Sequence, residues 1–291
     1  MRGKDLVPSC SIRAIRGKDL VPFQPLAEDS LLEYNAMVAG TQAPALFFWS
    51  FHLLGEKGRF MLDFGRDLCG DTHFSTEREW LVANGLGGYA SGTISGVLTR
   101  RYHGLLLAAL QPPVGRTLQL TKLDETATYA GTAHPLFANR WSDGQLEPEG
   151  YHHLERFCLE GTTPVWTFAL SDALLVKRVW MQQGANTTYI RYHLCRGSAP
   201  LELSIKAIVN HRDHHANTRA DDWQARIEPV PHGLRVTTNE EAAPLYLLSD
   251  RAGATPQHDW YTGYFLSVED YRGLDALDDN LYAGLFRATL Q

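Results

Sequence analysis

From residue 174 to residue 209 apolar and polar side chains fall into a two-residue period, most clearly at its end. Leu201, Leu203, Ile205, Ala207 and Val209 share one face, and Glu202, Ser204 and Lys206 the other. That alternation is the mark of a strand with one dry face and one wet face. Residues 174–182, 187–196 and 201–209 are separated by Gln183-Gly184-Ala185-Asn186 and Gly197-Ser198-Ala199-Pro200, which supply the turn chemistry of antiparallel hairpins. Residues 117–129 and 165–170 predict further strands. A hairpin is predicted from 225–228 and 234–238 around Pro229-Val230-Pro231-His232-Gly233, and one more strand at 244–248. Short strands in this number predict a mostly β protein, an antiparallel β-sandwich with few short helices. The helices are expected at 275–281 and before Met61.

Polar chemistry and backbone constraint are densest between Glu79 and Glu125. An apolar run, Trp80-Leu81-Val82, leads into a turn holding Gly85, Gly87 and Gly88, and Thr99-Arg100-Arg101-Tyr102-His103-Gly104 follows before Leu105-Leu106-Leu107. Glycines so spaced permit positive φ and close backbone approach, which suits either a tight structural corner or a ligand-facing loop. Gly85-x-Gly87-x-x-Ala90 matches the dinucleotide fingerprint in form, but the fingerprint needs a helix to open at the loop. Thr93, Ile94, Val97, Leu98 and Thr99, interrupted by Gly96, favour strand instead. A GxxxxGK[ST] phosphate loop is absent as well, so no cofactor is expected.

Composition narrows the partners. The chain of 291 residues carries a formal charge of −6 with no run of five basic residues, which argues against a nucleic-acid partner held through phosphates. Cys10, Cys69, Cys158 and Cys195 form no CxxC pair, so neither a zinc knuckle nor a redox motif is indicated and a reducing, cytoplasmic compartment is expected. The apolar run at 43–54 is too short to cross a bilayer and begins too far in for an ordinary signal peptide. The first sixty residues read differently from the rest, because Arg2 to Pro8 (RGKDLVP) recurs at Arg16 to Pro22 with no third copy.

The stretch EWLVANGLGGYASGT, then TRRYHGLL, PPVGR and KLDE, resembles the N-terminal domain of bacterial and archaeal glycogen debranching enzymes of the amylo-α-1,6-glucosidase type. The resemblance resumes at Phe64-Gly-Arg-Asp-Leu-Cys-Gly-Asp71, at Val209-Asn-His-Arg-Asp213, at Tyr271-Arg-Gly-Leu274 and at Leu281-Tyr282, so it covers roughly residues 61 to 291. It implies a β-supersandwich that supports a helical (α/α)6 toroid, in which the catalytic acids of the family lie. On that reading this chain lacks the toroid, its partners are the toroid and an α-glucan (glycogen or a limit dextrin), and the activity served is removal of α-1,6-linked glucose. Residues 1 to 60 are then expected to be an extension outside the family that packs poorly, with Met61 the natural start. The alternatives are a stand-alone carbohydrate-binding module and a purely structural fragment.

Hydrolysing a glycosidic bond needs two carboxylates, and Asp124 with Glu125, Glu77 with Glu79, and Asp221 with Asp222 are the available neighbours. Adjacent strand residues point to opposite faces, so Asp124 and Glu125 do not naturally flank one bond, and no catalytic residue is assigned. His211, His214 and His215 are spaced like a metal cluster, but HExxH is absent and a polar loop after a strand suits hydrogen-bonding imidazoles, so no metal is expected. Arg100 and Arg101 read as clamps on carbonyls or carboxylates, with Asp124 or Glu125 as possible acceptors, or else, with Tyr102 and His103, as part of a face shaping a sugar cleft. The residues expected to face substrate or the next domain are Asn84, Gly87, Gly88, Tyr89, Arg100, Arg101, Tyr102 and His103. Trp166 and Trp180 are expected in the core, with Trp141 and Trp260 nearer the surface.

Overall fold

A computed structural model describes residues 9–17, 62–238 and 243–291. The chain runs through β1 (Ser9–Arg16), β2 (Asp63–Gly65), α1 (Arg66–Gly70), α2 (Thr72–Glu77), β3 (Glu79–Ala83), β4 (Tyr89–Thr93), β5 (Gly104–Gln111), β6 (Val114–Tyr129) and β7 (Thr132–Pro135). After a 3-10 turn at Gly150–His153 come β8 (Leu154–Glu160), β9 (Thr163–Leu170), β10 (Ala173–Met181), β11 (Thr187–Arg196), β12 (Leu201–Asp213), β13 (Arg226–Val230), β14 (Gly233–Thr237) and β15 (Leu245–Ser249). It ends with β16 (Gly253–Phe265), α3 (Ser267–Tyr271) and β17 (Leu277–Leu290).

These strands form two antiparallel sheets. One has nine strands in the order β13-β14-β15-β1-β11-β10-β9-β8-β2, and the other has eight, ordered β16-β17-β12-β6-β5-β4-β3 with β7 on β6. Their facing sides share a core that includes Ile12, Leu106, Tyr192, Leu203, Ile205 and Phe286. Of the strands predicted between residues 174 and 209, β10 and β11 form the expected antiparallel hairpin, but β12 does not pair with β11. The chain crosses at residues 197–200 to the other sheet, where β12 lies between β17 and β6, so that turn is a corner between sheets and not a hairpin. The alternation of β12 holds: Leu201, Leu203, Ile205, Ala207 and Val209 are buried while Glu202 is exposed. The antiparallel sandwich with few short helices is therefore the observed fold.

Two further expectations are corrected. The helix does not form at 275–281, where β17 begins at Leu277; it lies earlier, at Ser267–Tyr271. Asp278 and Asp279 instead use their carboxylates to accept backbone N–H groups of Thr218, Ala220 and Gly263, so this acidic stretch works as a strand that anchors neighbouring loops. α1 and α2 lie after Met61, the latter capped by the Asp71 carboxylate, which accepts from His73 and Phe74 N–H. The helix expected before Met61 falls outside the described residues.

The second correction concerns the first sixty residues. Ser9–Arg16 is an inner strand of the nine-stranded sheet, paired with β11 on one side and β15 on the other. Its own alternation explains this: Cys10, Ile12 and Ala14 enter the core with no exposed surface, while Arg13 on the other face stacks its guanidinium 5.2 Å from the Tyr189 ring centre. The heptapeptide repeat flanks this strand and masks its alternation. The other residues of that segment, Gly17 apart, lie outside the described residues.

Burying Ile12 fully contributes on the order of 1.5–3 kcal/mol. We expect Ile12→Ala to destabilise the chain by about 2–5 kcal/mol, including the cavity left behind, read from urea unfolding. A chain begun at Met61 exposes the paired edges of β11 and β15 and should unfold without a cooperative transition. An unchanged melting temperature after that deletion would show β1 to be dispensable.

Candidate functional site

The turn between β3 and β4 is closed by Asn84. Its Oδ1 accepts the N–H groups of Leu86 (2.9 Å) and Gly88 (3.0 Å), and its Nδ2 donates to Ala185 O and Asn186 Oδ1, both at 3.0 Å. Asn84 is thus fully buried and fastens this turn to the β10–β11 turn of the opposite sheet. A Cβ on Gly88 would lie 2.7 Å from Asn186 Oδ1, and one on Gly87, whose φ is +96°, would lie 2.5 Å from Pro113 O. The close backbone approaches permitted by these glycines are therefore made within the chain, and Asn84 and Gly88 do not face outward. Tyr89 is half-buried, and burial pushes its phenol up to about 12.

Arg100 to His103 occupy a turn ahead of β5, closed by His103 N–H donating to Arg100 O at 3.1 Å. They are not a strand end, so opposite strand faces do not separate the two arginines; their partners do. Arg100 Nε donates to Glu79 Oε1 at 2.5 Å, with both side chains about one-third exposed. Arg101 reaches the buried Glu269 of α3 at 3.4 Å and donates to His215 O at 2.6 Å and Asp275 O at 3.3 Å. The clamps therefore exist, but neither closes on Asp124 or Glu125. His103 is buried; its Nδ1 accepts the Thr99 N–H at 3.2 Å, which leaves the proton on Nε2 to donate to Glu79 Oε1 at 3.1 Å.

The exit of β12 completes this corner. Arg212 donates to Arg101 O and to Asp278 Oδ2, each at 3.0 Å. Asp213, His214 and His215 follow, with each side chain's ligand atom within 4.8 Å of the others. The Tyr102 hydroxyl lies 3.0 Å from His215 Nδ1, and the Tyr102 ring meets the His214 ring edge-on at 5.7 Å. Arg116 links the two loops: its Nε donates to Gly87 O at 2.6 Å, and its carbonyl accepts the His214 N–H at 3.1 Å. Burial, followed by the neighbouring His215, lowers the pKa of His214. His211 stands apart, with Nδ1 3.3 Å from Gln119 Nε2 and its ring against Trp223. Beside this corner Tyr271 is 90% exposed and Leu274 44%.

The carboxylate pairs do not converge on a common bond. Asp124 is held on one face of β6 by Lys122 at 3.1 Å and by Asn139, and burial raises its pKa. Glu125 faces the core, where Lys177 donates to it at 2.5 Å and Tyr192 OH at 2.7 Å. Glu77 lies beside Arg78 and His73, away from the Glu79 pairing, and Asp222 accepts the Arg219 N–H. Trp166 and Trp180 are buried as expected. Trp141 and Trp260 are half-buried; the former packs 5.0 Å from Tyr264, the latter 5.1 Å from Trp223.

Sequence spacing brought out residues 100–103 but missed Glu79 as the partner of Arg100 and His103, and Glu269 and the Asp213-His214-His215 cluster as partners of Arg101 and Tyr102. Glu79 carried one usable signal: it opens the strand that pairs with β4, directly upstream of the TRRYH turn. Glu269 and His215 come from 168 and 113 residues away, a distance no local pattern spans. Compared with known families, residues 78–291 match the one described as glycogen debranching enzyme N terminal. The chain matches no curated protein.

The Glu79 junction generates a pH prediction. The hydrogen bond from His103, joined by Arg100, holds the Glu79 carboxyl at about 2 against its ordinary 4.5. A depressed acid contributes stability that is fully present above its unfolded value and is lost as pH falls through the folded one. The wild type should therefore exceed Glu79→Gln in urea midpoint above pH ~4.5, with the difference closing towards pH ~2. A difference that stayed constant over that window would remove Glu79 from the junction's electrostatics.

Proposed function

The chain belongs to the glycogen debranching enzyme N-terminal family, and from that premise we propose that it is the β-sandwich of an amylo-α-1,6-glucosidase, supporting a catalytic (α/α)6 domain that acts on an α-glucan. The observation that carries this reading is the corner at Arg101. There two large side chains, Tyr271 and Leu274, stand exposed, on a segment fastened by Arg101 to Glu269 and Asp275. Exposed apolar surface on a rigid support marks an interaction site. Gly87, Tyr89, Arg100 and Tyr102 border the same corner and are proposed to face the catalytic domain, with Tyr102 offering a ring and a hydroxyl at the margin of a sugar cleft.

Chemistry within the sandwich fits a supporting role. Retaining or inverting hydrolysis needs an acid and a second carboxylate flanking one bond, whereas Asp124 and Glu125 point to opposite faces and are each bound to a lysine. The four cysteines are free thiols, which supports a reducing, cytoplasmic setting.

Purified chain is expected to release no glucose from a branched limit dextrin, and a catalytic domain of the family added in trans should supply the activity. Tyr271→Ala should leave unfolding stability within about 0.5 kcal/mol, as for a surface change, while weakening that association. Glucose release by the chain alone, abolished by Glu125→Gln, would overturn the supporting role. Co-sedimentation with glycogen without a catalytic domain would instead favour a carbohydrate-binding module.

A further inference from the structure

We propose that Asp213, His214 and His215 form an exchangeable binding site for a divalent transition-metal ion of the Zn2+ class, at the corner that Tyr102 closes. Each side chain offers one ligand atom, and all lie within 4.8 Å of one another. A tetrahedral ion bonded at about 2.0–2.1 Å holds neighbouring ligand atoms roughly 3.4 Å apart. Small rotations of Asp213 and His215, both exposed, bring the set to that spacing.

The cluster is built as well as close. Asp213 Oδ1 accepts the His215 N–H at 2.8 Å and sits 3.6 Å from His214 Nδ1. That Nδ1 is shielded from solvent and has no hydrogen-bond partner, although the His214 side chain retains only 13% exposure. The two imidazoles lie 3.9 Å apart between centres, so both already point to one side of the turn. Tyr102, at 3.0 Å from His215 Nδ1, orients that ring in the way a hydrogen-bonded neighbour orients a ligating histidine. Behind the cluster, Thr218 and Ala220 are pinned by Asp278 and Asp279, so the loop that presents it is anchored.

Ligand type sets the class of ion. Two imidazoles and one carboxylate suit zinc, nickel or copper, whereas calcium and magnesium want more oxygen ligands. Three arginines face the site and limit its strength. Arg101 and Arg212 are paired with Glu269 and Asp278, while Arg116 spends its Nε on Gly87 O. A three-ligand site in such surroundings exchanges its ion and leaves a coordination position open. The inference rests on this geometry and does not depend on the glucan reading.

The test is calorimetric titration of ZnCl2 into the chelator-treated full chain. One ion per chain is expected. Affinity should fall by about tenfold or more in His215→Ala and in Asp213→Asn, the second of which keeps an acceptor for the His215 N–H. His73→Ala, which removes a histidine 85% exposed elsewhere on the surface, should change nothing. Matching urea midpoints for wild type and variants establish that each is folded. No saturable binding, or binding equally strong in His215→Ala and Asp213→Asn, would overturn the site.

Discussion

The ion pair between Arg212 and Asp278 holds the functional corner together. Its side chains are only 5% and 1% exposed and meet at 3.0 Å. Taking two charges out of water costs several kcal/mol per ion, and the cost is offset only when further hydrogen bonds satisfy both groups. Here they do. Asp278 also accepts the Thr218 N–H at 2.7 Å, and Arg212 also donates to Arg101 O. Burial pushes the Asp278 carboxyl up while Arg212 opposes it. One buried pair thus ties three chain segments that are distant in sequence: the turn before β5, the exit of β12 and the start of β17.

A similar arrangement links the sheets and explains why the most suggestive acids are not catalytic candidates. Glu125 projects from β6 into the core and meets Lys177 of β10 and Tyr192 of β11, so its charge bridges the two sheets. Asp124, one residue earlier, faces away and meets Lys122 and Asn139. A strand that alternates its side chains can carry two neighbouring acids only by giving each its own partner. Removing either lysine would leave a buried carboxylate unpaired, a cost that buried pairs elsewhere place at about 3–5 kcal/mol.

Strand content and hairpin connections were legible because they rest on local rules: a two-residue period and turn residues at fixed offsets. The hairpin around His232-Gly233 and the β10–β11 hairpin stand where those rules put them, whereas the turn at residues 197–200, with the same chemistry, carries the chain into the other sheet. The inner strand β1 obeyed the same period through Cys10, Ile12 and Ala14, but seven residues between two copies of a heptapeptide gave too little pattern to stand against the repeat. The acidic stretch at 275–281 was misread for another reason. Helix and strand compete there on weak propensities, and the outcome was settled by backbone donors on other loops, which the stretch itself does not contain. The glycines were recognised as sites of close approach, yet only the fold shows that Asn186, Asn84 and Pro113 are what approach them. Partner identity across more than a hundred residues was the part that local sequence could not supply.

The two adjacent arginines show how the corner divides internal support from outward function. Arg100 and Glu79 meet at an exposed contact, a class of ion pair worth about 0–1 kcal/mol. Arg101 is mostly buried, reaches a fully buried glutamate and closes on two carbonyls, so it supplies the fixed geometry. Once Arg101, Arg212, His103 and Asn84 are committed to the chain's own groups, a smaller set is left at the rim: Tyr102, Asp213, His215 and Tyr271. These combine a ring, a carboxylate, an imidazole and an exposed phenol on a base that does not yield. A surface meant only to close the sandwich would have no reason to fix so polar a set around a 90% exposed tyrosine, and that contrast is the physical ground for placing the protein's interactions at this corner.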